Sequence, residues 1–552
     1  MLPAQVTTPA AGPSDYTRGQ ADTMIIFYNG TILTQDPRFP VVESLLVGDN
    51  GRVRWAGKLD DLPTITGIDR LQRVDLEGRT LIPGFNDAHV HIWKLGLLLT
   101  VQVDARAAAA PDIPSIVGAF RDRAAKSPAS AWLTGRGYNE VVLPEKRHLT
   151  RHDLDAASTQ HPIALTRTCG HMIVANSLAL SLAGITRDTP NPPGGVIVRD
   201  EHGEPTGLLQ ETAQGLITRV IPDYDDAVMA AAIREANYHQ LRLGITSATD
   251  PLLAPQHLRV YRQLEADGDL AVRINGLPIR RQDGGSETIP LPERYVSHTL
   301  RIDTVKFFAD GGLSGATAAL SVPYKETGER GVMRFEDDEL FELMWEAHDA
   351  GFRIATHAIG DVAIEQIIST YERLHARKPA PELRHRIEHL GLPSAGHLAR
   401  CKALNIIAVP QTIFLYALGT TYRRYLPDGF FPRCYPVKAM LDAGLDVALS
   451  SDAPVVPDDN PLLGMKAALD RKDINGNPIA PEQAISAAQA LYAYTMGGAI
   501  ASGDADTRGS LSPGKWADLA VLSGNPLETP PDMLPALQVE QTYVGGVLVY
   551  QR

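Results

Sequence analysis

Between residues 84 and 452 the chain keeps returning to one pattern: short apolar segments, several of which stop on a polar or ionisable residue, with amphipathic stretches between them. "FNDAHVH" (85–91), "GITSATD" (244–250), "VRINGLPI" (272–279) and "IDTVKFFAD" (302–310) are the first four. "FRIATHA" (352–358), "LRHRIEH" (383–389), "NIIAVPQ" (405–411) and "DVALSSD" (446–452) complete a set of eight. Intervening stretches such as "EDDELFELMWEAHDAG" and "PEQAISAAQALYAYTMG" have helical periodicity. Eight strands alternating with helices predict an α/β fold of the (β/α)8 TIM-barrel type. A doubly wound open sheet also fits the alternation, but its Gly-rich phosphate loop after the first strand is missing.

Short strand patterns punctuated by Gly, Asn and Asp fill both ends of the chain, from "MIIFYNG" to "QTYVGGVLVYQR". They predict a β-sandwich built from residues 24–83 and 501–552, bracketing a barrel over 84–500, with Gly545-Gly546 suited to a tight hairpin. Roughly 150 residues, 92–243, separate the first two barrel strands. A structureless loop of that length would count against the assignment. This interval contains helical and strand-like pieces, so it reads as an inserted subdomain over the barrel mouth. Residues 1–23, rich in small residues and Pro, read as a disordered tail.

The net charge of −13 argues against non-specific nucleic-acid binding and against docking on anionic membranes. No run of 18 apolar residues suggests a membrane span. The N-terminal segment lacks a signal-type apolar region. Three scattered cysteines form neither a disulfide framework nor a metal motif. The expectation is a cytoplasmic protein acting on a small molecule.

In a barrel the C-terminal strand ends converge on one face. Several of the segments above carry a polar or ionisable residue at or towards their C-terminal end: His89 and His91, Asp250, Lys306, His357, His389, Gln411 and Asp452. Residues i and i+2 of a strand share a face, so His89 and His91 can grip one ion. Imidazole suits Zn2+ or another divalent transition metal. Two histidines satisfied by local hydrogen bonds are the alternative for that pair alone; three strands supplying histidine favour a metal. Lys306 lies in "TVKFFAD", apolar on both sides. It either pairs with Asp303 or Asp310 or reaches solvent, or it is a desolvated amine able to react with CO2 and become a bridging carbamate. Asp452 can bind metal and accept a proton from activated water.

These residues resemble the signatures of the amidohydrolase superfamily, in particular its YtcJ-like branch, which includes N-substituted formamide deformylases. "LIPGFNDAHVHIW", "VKFFADGG", "THAIGD", "RIEHL" and "SSDAP" carry the likeness, with "GRGYNE" and "RTCGHMIVANSLAL" in the insert and "GSLSPGKWADLAVLSGNPL" near the end. The resemblance implies a barrel with a β-sandwich. It makes His89 and His91 first-strand metal ligands, a carbamylated Lys306 the bridging ligand, and His357 and His389 ligands of the second metal. Asp452 becomes ligand and general base. One or two metals are implied, and a homodimer is possible. Asn86 departs from many relatives.

Within the insert, His171 is a candidate to polarise a substrate carbonyl, so Asp452 and His171 are the expected catalytic pair. Tyr138, Asn176 and Trp93 are candidate substrate contacts, Arg136 and Arg167 candidates to hold a substrate carboxylate, and Asp310, Gly311 and Gly312 candidates to shape the pocket. The expected reaction is hydrolysis of a C–N bond in an amide or N-substituted formamide. Ester, lactone or carbamate hydrolysis and ring deamination suit the same site. A non-catalytic scaffold is the alternative of another class, but every ligand position is filled.

Overall fold

The computed structural model describes residues 23–62, 71–281 and 287–552, so the tail expected over 1–23 lies outside the described residues but for Thr23. Both chain ends meet in one six-stranded sheet, in the order Val41–Val42, Thr31–Leu33, Thr80–Pro83, Leu519–Leu522, Val539–Val544 and Val547–Gln551. A four-stranded sheet, ordered Val53–Gly57, Ser44–Val47, Met24–Tyr28 and Leu71–Asp75, packs against it. Phe27, Leu45, Leu81, Leu519 and Tyr543 share the apolar cluster between them. Gly545 and Gly546 have φ of 57° and 77°, the double left-handed geometry that a two-residue hairpin needs.

The middle of the chain supplies parallel strands in two arcs. In the first, β1 (Phe85–Asp87), β2 (Ile245–Leu253) and β3 (Arg273–Pro278) are neighbours, extended by Leu300–Ile302. In the second, β4 (Thr304–Phe308), β5 (Arg353–Ala358), β6 (Arg386–His389) and β7 (Ile407–Val409) run in order. A single parallel bridge, Ile279 to Lys306, joins the arcs. The strands are buried on both faces, as parallel strands under helices must be. Helix Asp361–Arg377 shows why: Ile364, Ile367, Ile368, Tyr371 and Leu374 form one stripe, all fully buried.

The segment 446–452, expected as the eighth strand, is not a strand. It has one isolated bridge, Ala408 to Val447, and among the described residues the hydrogen bonds do not close a continuous barrel. The reason is local. Ser451 turns its N–H and hydroxyl to the Asp87 carboxylate, and Asp452 takes a left-handed φ of 56°. A second difference lies over 481–497, where one helix was expected. Ser486 caps a new start, so the helix covers only Ala487–Tyr492 before a wider turn.

Residues 103–211 contain their own six-stranded sheet, from Val103–Asp104 at one edge to Gly195–Arg199 at the other, with an apolar core of its own. Thr168 Oγ1 donates to the Val455 carbonyl at 2.6 Å, and Arg106 Nη1 to the Pro457 carbonyl at 3.1 Å. The insert is thereby fastened to the segment that follows Asp452. Among the described residues no helix is long and apolar enough to cross a membrane.

Arg273 on β3 and Asp518 beside the terminal sheet form a buried two-pronged ion pair at 2.6 and 2.9 Å. Arg273→Met leaves Asp518 buried without its partner and should lower unfolding free energy by about 3–5 kcal/mol in denaturant melts. An unchanged midpoint and slope would show that this pair does not tie the terminal sheet to the strands.

Candidate functional site

The site begins where β1 ends. Asp87 accepts the backbone N–H of His89 at 3.2 Å, and Ser451 N–H and Oγ–H at 3.0 and 2.6 Å. These bonds turn the chain out of the ladder, so His89 and His91 lie beyond the strand, and His91 caps the helix Ile92–Thr100. The expectation that a pleat puts both on one strand face is therefore corrected: a turn brings them together, their rings 5.6 Å apart and nearly perpendicular. Across the junction Asp452 N–H donates to the His89 carbonyl at 2.7 Å and His91 N–H to the Ala453 carbonyl at 2.8 Å.

Ring centroids of His89 and His389 are 5.0 Å apart, and those of His357 and His389 4.5 Å. Asp452 Oδ1 lies 3.4 Å from His89 Nε2 and 3.2 Å from His91 Nε2. Ligand atoms of His89, His389 and Asp452 all fall within 4.8 Å of one another, and all three residues are buried. His357 is beside this group, but its Nε2 donates to the Gly311 carbonyl at 3.0 Å. His389 and Asp452 both have left-handed backbones, with φ of 72° and 56°. Non-glycine residues held there store roughly 1–3 kcal/mol each, a cost tolerated where side-chain direction matters.

Other buried groups aim these side chains. Glu388 sits on His89 Nδ1 and is itself gripped by Arg386, leaving His89 Nε2 to face Asp452. His389 Nδ1 pairs with Gln411 Oε1 at 2.6 Å, and Gln411 is fixed in turn by Ser450 Oγ and the Val409 carbonyl. Fixing one ring nitrogen sets the tautomer and frees the other for a ligand. Burial drives the pKa of His91, His357 and His389 well below the usual imidazole value, so they are neutral, as metal ligands must be. Burial alone would raise Asp452 and Glu388. His89 and His91 hold the Asp452 carboxyl well below its ordinary range, and Arg386 with His89 does the same for Glu388.

Lys306 Nζ is buried 4.7 Å from the centre of the Phe308 ring and has no hydrogen-bond partner among the described residues. Asp303 pairs with Arg301 instead, and Asp310 accepts backbone N–H groups of Ala319, Ile359 and Gly360. Burial pulls Lys306 down to about 8, within reach of a neutral, nucleophilic amine.

The insert reaches this cluster through His171, whose ring is 5.8 Å from that of His357. Its Nδ1 pairs with Glu211 Oε2 at 3.0 Å, and Arg334 Nη2 reaches the same oxygen at 3.1 Å. Three other candidates face elsewhere. Tyr138 is fully buried in the insert core with its hydroxyl on His148. Asn176 accepts from Ile163 and Ala179 and donates to the Ser158 and His161 carbonyls, which uses all its hydrogen-bonding capacity within the insert. Trp93 donates to the Leu252 carbonyl and stacks on His257, 4.4 Å away. Sequence reasoning missed Glu388, Arg386, Glu211 and Arg334. Only "RIEHL" carried a hint, in two charged residues inside an apolar strand.

A divalent transition metal fits this set on its own chemistry. Three buried N and O donors converge, two imidazoles have their outer nitrogens tied, and among the described residues Asp452 Oδ1 and Lys306 Nζ are buried without hydrogen-bond partners. The model of the family described as "Amidohydrolase family" matches residues 72–550. The chain is 32% identical to the YtcJ protein of Bacillus subtilis over 96% of this chain and 99% of that one. It is 29% identical to the N-substituted formamide deformylase of Arthrobacter pascens over 96% and 98%. A crystal structure of an uncharacterized metal-dependent hydrolase from Pyrococcus horikoshii superposes with a TM-score of 0.74 at 26% identity, over 92% of this chain and 99% of that chain.

Glu388→Gln keeps the size of the side chain but weakens its grip on His89 Nδ1. Metal affinity, read by competition with a chromogenic chelator, should fall about 10–100-fold. Unchanged affinity would mean that Glu388 does not orient His89 for a metal.

Proposed function

Because the chain belongs to the amidohydrolase family, we propose that it is a metal-dependent hydrolase cutting the C–N bond of a small amide or N-substituted formamide. The overall change would be R–NH–CHO plus water giving R–NH2 and formic acid, or the matching amide hydrolysis. One observation carries the reading: His89, His389 and Asp452, from three distant parts of the chain, converge around a buried centre. In the same reading the two strand arcs and the segment 446–452 are parts of one (β/α)8 barrel, supported by their shared parallel sense and the isolated bridges at the seams.

His89, His91, His357, His389, Asp452 and a carbamylated Lys306 would hold one or two divalent ions, zinc being the best match to the donors. When bound, such an ion makes water nucleophilic near neutral pH and polarises the scissile carbonyl. Lys306 Nζ would lose a proton on adding CO2, and the carbamate oxygens would replace an unpaired amine with a carboxylate-like ligand. Asp452 would accept the proton of the attacking water and return it to the leaving nitrogen as the C–N bond breaks. His171, its Nδ1 held by Glu211, would turn Nε2 towards the developing oxyanion and polarise the scissile carbonyl. The buried, free cysteines suit a reducing, cytoplasmic setting.

Turnover of a panel of formamides, N-acyl amines, esters and carbamates by the metal-loaded protein tests the reaction class. Cleavage of amides or formamides ahead of the others is expected. Exclusive ester or lactone turnover would overturn the C–N assignment. Lys306→Ala should lose at least about 100-fold in kcat/KM and regain part of it with added short carboxylates, as expected if an anionic ligand is missing. Full activity in that variant without added acid would exclude the bridging role.

A further inference from the structure

The two insert arginines that are candidates for a substrate anion differ in what they touch. Arg167 is committed: its Nε and Nη2 donate to Glu140 at 2.7 and 2.9 Å. Arg136 stands on the adjacent strand, in register with Thr166, and is only 6% exposed. Among the described residues its side chain has no hydrogen bond or ion pair, and its Nε is buried without a partner. A buried cation without a counter-charge is unfavourable in a resting protein, and such groups concentrate at functional sites.

Its position is equally specific. Arg136 Nη2 lies 3.0 Å from where a Cβ on Gly170 would stand, and Gly170 has a left-handed φ of 77°. A side chain at 170 would press on the guanidinium. Gly170 immediately precedes His171, whose ring faces His357. Thr168 of the same loop is bonded to Val455, three residues past Asp452. The guanidinium thus lies under the loop that carries His171 to the cluster. Burial lowers its pKa to about 10, and the groups that oppose this are Cys169 and Asp452. Cys169 is a buried thiol whose Sγ accepts from His171 N–H at 3.4 Å.

We propose that Arg136 receives a carboxylate of the substrate, so that the enzyme prefers amides whose amine portion is an amino acid over neutral N-alkyl amides. This deepens the amide-hydrolase reading and rests on it. The planar guanidinium matches a carboxylate in paired hydrogen bonds, which an ammonium does not reproduce. In a chain of net charge −13, a local cation of this kind is what an anionic substrate requires.

The test compares N-formyl derivatives of glycine, β-alanine and γ-aminobutyrate with their neutral primary amides, using metal-loaded wild type, Arg136→Lys and Arg136→Met. Wild type should favour the best-fitting acid over its amide by at least about tenfold in kcat/KM. That ratio should fall towards one in Arg136→Met, mainly through KM, with partial recovery in Arg136→Lys. An equal ratio in wild type and Arg136→Met, or a wild-type preference for the neutral amide, would overturn the proposal. Calorimetric titration with the matching N-methanesulfonyl acids and amides, which resist hydrolysis, separates the two failures. If no formyl compound turns over, the reaction assignment fails. Arg136 is then judged by whether the sulfonyl acids bind tighter than their amides in wild type alone. Equal binding of acid and amide in wild type overturns the anion site whatever the turnover.

Discussion

One buried carboxylate, Asp87, holds together parts of the chain 364 residues apart. Its two oxygens take the Ser451 N–H and hydroxyl, and one of them also takes the His89 N–H. Three hydrogen bonds converge on this one carboxyl, so the junction is strong for its size. Burial pushes Asp87 up to about 7, the mark of a carboxyl with little water around it. Around it, the backbone bonds from Asp452 to His89 and from His91 to Ala453 complete a short clasp. Without the clasp, the imidazoles at the end of β1 and the carboxylate at 452 would have no reason to share a centre.

Much of this was legible in the sequence. Polar residues closing apolar runs pointed to His89, His91, His357, His389 and Asp452, and an apolar surround pointed to Lys306, because buried strands leave such residues no ordinary role. The parallel arcs followed from alternation, and the joining of the two termini from their strand-like ends. What sequence could not supply is local departure from regularity. A pleat predicts that Glu388 and His389 point to opposite faces. The left-handed backbone at His389 lets Glu388 serve His89 while His389 enters the cluster. Nor could it show that segment 446–452 leaves the ladder, since that follows from side-chain bonds to Asp87. Tyr138 and Asn176 read as candidate substrate contacts, but their polar atoms serve the insert's own packing and capping.

In the proposed reading the insert and the strands divide the chemistry. Metal-type donors come from β5, β6, the turn after β1 and the segment 446–452, whose flanking parts are packed and hydrogen-bonded, which fixes nitrogen and oxygen positions. His171, Glu211 and Arg136 belong to the insert, clasped to the strands through Thr168 and Arg106. Arg334, from the segment after β4, completes the His171–Glu211 pair. Such an arrangement lets one part of the molecule hold the reacting centre while another shapes what approaches it. Fold alone does not choose a substrate; the side chains at this boundary do.

The central claim is that His89, His389 and Asp452 share one divalent cation. X-ray diffraction from metal-loaded crystals, collected on both sides of the absorption edge of the bound metal, tests it directly. The account predicts an anomalous peak within bonding distance of His89 Nε2 and an Asp452 oxygen, about 2.0–2.2 Å for zinc. A fully loaded, active protein whose anomalous peak lies away from these residues would contradict it.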